Sequence, residues 1–72
     1  MIIKEFKLIK NRQRPEFCYS YEKQEGELKY SIFTMNGGKT FFASIEKFGC
    51  TQFSETHISI KECLKSFKTF NN

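Results

Sequence analysis

Apolar positions are most regular between Phe17 and Glu46, where three runs alternate residue by residue. In the first, Phe17 to Gln24, the side chains of Phe17, Tyr19 and Tyr21 point one way and those of Cys18, Ser20 and Glu22 the other, as a half-buried strand requires. In the second, Leu28 to Met35, Leu28, Tyr30 and Ile32 share a face, opposite Lys29, Ser31, Phe33 and Met35. The third, Lys39 to Glu46, sets Phe41, Ala43 and Ile45 against Thr40, Phe42 and Ser44. Together they predict a three-stranded antiparallel meander.

Two glycine turns fix how these faces meet. A two-residue loop at Glu25-Gly26 predicts Tyr21 opposite Tyr30, Tyr19 opposite Ile32 and, on the other side, Glu22 facing Lys29. The second turn, Asn36-Gly37-Gly38, is a strong hairpin signal because Asn and Gly tolerate positive φ. Its loop falls at Asn36-Gly37 or Gly37-Gly38, and both keep Tyr30 and Ile32 on the side of Phe41, Ala43 and Ile45. One face is therefore strongly apolar. The other is polar apart from Phe33, Phe42 and Met35, and a Gly37-Gly38 loop would set Phe33 directly against Phe42. Such a pair is either covered by another segment, packed at a rim, or left as a contact patch for a partner.

Residues 2 to 9 are readable as a helical stripe or as a strand. A strand is expected, since the β-branched start lacks a helix N-cap and lysines suit a sheet edge. Phe48-Gly49 breaks the third strand, and Cys50 to Ile58 shows no clean period, so irregular structure is expected there, with at most a short extended piece near Thr56 to Ile58. From Ser59 the pattern sharpens. Ser59-Ile60-Lys61-Glu62 has the form of a capping box, Ile58 is placed to staple onto Cys63, and Ile60, Cys63, Leu64 and Phe67 form one apolar stripe. The expected architecture is α+β: a four-stranded antiparallel sheet, the meander plus the N-terminal strand, with one C-terminal amphipathic helix on its aromatic face.

Composition narrows the function more than it names it. With 72 residues, 1–72 is one domain near the lower limit of independent folding, and nine Phe and three Tyr supply much of its core. The pattern Met1-Ile2-Ile3-Lys4-Glu5 is no signal peptide and no apolar run nears membrane-spanning length, so a cytoplasmic protein without membrane contact is expected. Cys18, Cys50 and Cys63 are odd in number and read as reduced, small apolar residues. Lys4, Lys7, Lys10, Arg12 and Arg14 against Glu5 account for the whole net charge of +4, because the rest of the chain holds seven Lys and seven Glu. The excess is thus a local basic edge.

No catalytic constellation is visible. His57 is the single histidine, expected on the surface before the helix, and the spacing Cys50-x6-His57-x5-Cys63 matches no paired zinc pattern. Glu22, Glu25 and Glu27 cluster at a hairpin tip, where no cleft forms, and Asn36-Gly37-Gly38-Lys39-Thr40 lacks the spacing of a phosphate loop. The expectation is a non-enzymatic protein without metal or cofactor that modulates or inhibits a partner protein or ribonucleoprotein. Stand-alone inhibitors from phages and mobile elements are alike in size only. The expected contact residues are Lys4, Lys7, Lys10, Arg12, Arg14, Phe33 and Phe42. The alternative is a nucleic-acid-binding module, with the basic segment 4–14 on phosphates and exposed aromatics on bases. A sheet edge also offers a route to a homodimer.

Overall fold

A computed structural model describes residues 5–71. Five strands, β1 (Lys7–Lys10), β2 (Tyr19–Glu25), β3 (Leu28–Thr34), β4 (Phe41–Lys47) and β5 (Cys50–His57), form one antiparallel sheet in the order β1-β2-β3-β4-β5, followed by a helix, α1 (Ile60–Asn71). The α+β class and the C-terminal helix agree with the expectation from sequence. The sheet has five strands rather than four.

The added strand is β5, in the segment expected to be irregular. Phe48 and Gly49, with φ of 53° and 79°, form a two-residue turn between Lys47 and Cys50, which pair. Positive φ at both central residues is the requirement of a type I′ hairpin. Phenylalanine supplies it against the steric preference of an L residue, which hides the turn in the sequence. A bulge hides the strand as well. Ile45 pairs with Phe53 and Glu46 with Thr51, leaving Gln52 unpaired and shifting the alternation by one.

The first hairpin is displaced by two residues from the expected register. Tyr21 lies opposite Ile32, Tyr19 opposite Thr34 and Glu22 opposite Ser31, because the loop is Gly26-Glu27. A Glu25-Gly26 loop of type I′ would need positive φ at Glu25. Placing Gly26, φ 63°, at the first central position confines positive φ to the glycine. Sidedness survives, since the slip is even. The second hairpin has the register of a Gly37-Gly38 loop, with Phe33 opposite Phe42, yet β4 begins only at Phe41. The intervening residues are organised by side chains: buried Thr34 Oγ1 accepts from Gly38 N (3.0 Å), and Asn36 Oδ1 accepts from Thr40 N (3.0 Å). A Cβ on Gly38 would stand 3.0 Å from Tyr19 Oη, and its φ of 94° would strain any other residue there.

Helix α1 starts at its expected cap, Glu62 N donating to Ser59 Oγ at 3.2 Å. The expected staple from Ile58 does not form; Ile58 is 78% exposed. Cys63 and Phe67 are fully buried over Tyr30, Ile32, Ala43 and Ile45, with Phe67 edge-on to Tyr30 at 5.2 Å and stacked on Phe6 at 6.4 Å. Burying each such large side chain contributes about 1.5–3 kcal/mol. The helix packs against β3, β4 and β5, leaving the opposite face of the sheet with no element upon it among the described residues. No helix among them is long and apolar enough to cross a membrane.

Candidate functional site

The uncovered face is built by alternation. Every strand that sends Tyr30, Ile32, Ala43 and Ile45 into the core sends the residue between them outward. Across the five strands the register aligns Ile9, Ser20, Phe33, Phe42 and Thr56 in one row, and Lys7, Glu22, Ser31, Ser44 and Ser54 in the next. Phe33 and Phe42 occupy the middle of the first row. Their rings stack with centroids 5.0 Å apart and planes at 21°, and both remain partly exposed. The surroundings are hydroxyl-bearing side chains, and two of the nearby charges cancel, Lys29 Nζ lying 3.1 Å from Glu22 Oε1. The uncovered face thus has an apolar centre within a polar rim.

At one corner a slot of about 260 Å³ is lined by Ile9, Ser20, Phe33 and Met35, with Cys18 and Asn11 toward its end. Ser20 faces both Ile9 and Phe33 in the register and so forms the floor. The loop closing this corner is rigidly made: Asn11 Oδ1 accepts from Gln13 N (2.8 Å) and Arg14 N (2.9 Å), and Arg14 O accepts from Cys18 N (2.8 Å). Gly37 N donates to Phe17 O, tying the loop to the β3–β4 connection.

The sequence-predicted site residues sort as follows. Phe33 and Phe42 stand side by side on the uncovered face; Ile9 and Met35 extend their patch. Lys7 is on that face, Lys10 lines the slot from the edge strand, and Arg12 and Arg14 sit on the loop beyond it. Lys4 lies outside the described residues. Lys7, Lys10, Arg12 and Arg14 make no ion pair among the described residues, whereas Glu5, the one acid of their segment, is held by Lys23. That pair raises the Lys23 pKa above its ordinary value through the hydrogen bond to Glu5. Of the basic segment Lys10 alone borders the slot, together with Asn11 of the following loop, and Arg12 and Arg14 stand one and three residues beyond Asn11. The slot's floor and outer wall, Ser20 and Ile9, gave no signal in the sequence because neither is distinctive alone.

Elsewhere the chemistry is closed off. His57 ends β5 on the helix side, less exposed than expected, with Nε2 2.9 Å from Glu55 Oε2. The groove around this pair includes Ser66, whose Oγ is committed to Cys63 O at 2.7 Å. The Cys63 thiol is buried, and desolvation aided by the charge of Glu62 pushes its pKa up to about 11, which suppresses thiolate. Cys50 is exposed rather than packed, and all three cysteines are free. No cluster of three or more metal-ligating side chains occurs among the described residues. Comparisons with known families, curated proteins and solved structures find no match.

Proposed function

We propose that this is a small, non-enzymatic binding protein that docks a partner protein, alone or within a ribonucleoprotein, on its uncovered sheet face, modulating or inhibiting that partner. The observation that carries the reading is the stacked, partly exposed Phe33–Phe42 pair at the centre of a face that no described element covers. Four strand spacings by about seven residues give the face a footprint on the order of 450 Å².

Nucleic-acid binding is the second reading, favoured by Lys7, Lys10, Arg12 and Arg14, which have no ion pair among the described residues and cluster at the β1 edge of the sheet and the loop after it. Its weakness is quantitative. About four phosphate contacts to a single strand give a log–log salt slope near −3, and the rest of the face supplies few further cations. The discriminating experiment compares capture of partners by the wild type and by the Phe33→Ser, Phe42→Ser variant, alongside affinity for a single-stranded oligonucleotide at two salt concentrations. A protein partner lost with the phenylalanines, and no oligonucleotide binding at low salt, is the expected result. Oligonucleotide binding at micromolar or tighter affinity, removed by Lys10→Glu, Arg12→Glu and Arg14→Glu together, would replace the docking reading by the second one.

A further inference from the structure

We infer that the slot between Ile9 and Phe33 is an anchor pocket for one aromatic or branched aliphatic side chain of a partner segment whose neighbouring residues are carboxylates; this rests on the docking reading above. Three features point to that occupant. First comes size. Ile9 and Phe33 stand two strand spacings apart, about 9–10 Å between backbones, with the small Ser20 between them, so two larger side chains flank a depression about one side chain wide. The depression is shallow and open to solvent, and at about 260 Å³ it lies below the roughly 300–1,000 Å³ of small-molecule sites, which favours one projecting side chain of a larger partner over a free ligand.

The second feature is lining. Ile9, Phe33 and Met35 offer apolar walls, with Ile9 41% and Met35 66% exposed, a cost in solvated apolar surface that an anchor would remove. The third is charge. Lys10 borders the slot, Arg12 and Arg14 on the loop beyond are exposed and outnumber the loop's acid, Glu16, none of the three cations has an ion pair among the described residues, and Asn11 Oδ1 holds the loop backbone. Cations left unpaired on a preorganised loop beside an apolar pocket complement an apolar anchor flanked by acids. A nucleobase with its phosphates shares this chemistry. It fits less well because the cations gather at one corner, whereas a strand of nucleic acid would need them along a track, and Lys29 further down the face is already paired to Glu22.

The test is an NMR titration of the ¹⁵N-labelled chain with a capped Glu-Glu-Phe-Glu-Glu peptide, the same peptide carrying Ser in place of Phe, and a ten-nucleotide oligothymidylate. The expected result is saturable shifts at Ile9, Ser20, Phe33, Arg12 and Arg14, at least tenfold weaker binding of the Ser peptide, and loss of binding in Ser20→Leu, which fills the slot. Should that variant fail to fold, Met35→Glu, at an exposed position, puts a carboxylate at the mouth and is expected to weaken binding by tenfold or more. Equal binding of the two peptides would overturn the pocket, and tighter binding of the oligothymidylate through the same residues would assign it to a nucleobase. Peptide silence, with partner capture still lost in the Phe33→Ser, Phe42→Ser variant, would remove the anchor assignment and leave the docking face standing.

Discussion

The two faces of this sheet come from the same strands, and each carries a close aromatic pair. On the helix side Tyr30 and Phe67 meet at 5.2 Å and are fully buried; on the other side Phe33 and Phe42 meet at 5.0 Å and stay partly exposed. Ring geometry does not separate them. What does is the cover: α1, 12 residues and about 18 Å long, lies over one face alone. Core status is a property of what lies above a residue, so an aromatic pair without a lid has spent less of its hydrophobic free energy on folding and keeps the remainder for a partner.

Truncation separates the faces most sharply. Phe67→Ala removes a fully buried ring from contact with Tyr30 and Phe6, and is expected to cost about 3–5 kcal/mol, much of the stability of so small a domain. Chemical denaturation reads the loss. Phe33→Ala, on the uncovered face and only partly buried, is expected to cost less, about 1.5–3 kcal/mol, from the aromatic pair together with partial burial of the ring. Equal costs at the two positions would mean that the faces are not energetically distinct.

Away from both faces, Phe48 tests the hairpin that adds β5. Its ring is 76% exposed and its φ is 53°, so it contributes strain with little compensating burial. Phe48→Asn is expected to raise stability by about 1 kcal/mol, because Asn tolerates the left-handed conformation that the turn imposes better than Phe does. A loss of stability would show that the contact of Lys47 Nζ over the Phe48 ring, at 5.7 Å, matters more than the strain. The smallest effect is kinetic. Thiol labelling of the native protein should modify exposed Cys50 first, half-buried Cys18 next, and buried Cys63 only through opening of the structure. Labelling of Cys63 as fast as Cys50 would mean that α1 is not seated on the sheet.

Much of this contrast was legible in the sequence. Alternation through Tyr30, Ile32, Phe41, Ala43 and Ile45 assigned the core face, the serine at position 59 marked the helix start, and the glycine turn left two registers open, of which the structure has the one that sets Phe33 opposite Phe42. Sidedness was robust because the register error at the first hairpin was even. Strand β5 was not legible, for three local reasons: Phe48 stands where Asn would announce the turn, Gln52 breaks the period, and Glu55 and His57 occupy inward positions where apolar residues would be expected. The slot was out of reach for another reason. Ile9 and Phe33 are brought together only by the pairing of β1 with β2, a long-range contact that no local pattern encodes.

The measurement closest to the central claim combines denaturant unfolding with partner capture for the Phe33→Ser, Phe42→Ser variant in one preparation. The account predicts a cooperative transition with the wild-type m-value, a modest loss of stability, and partner capture abolished. Loss of the cooperative transition would place these rings in the core, and retention of the partner by a folded variant would contradict the assignment of the uncovered face as the docking surface.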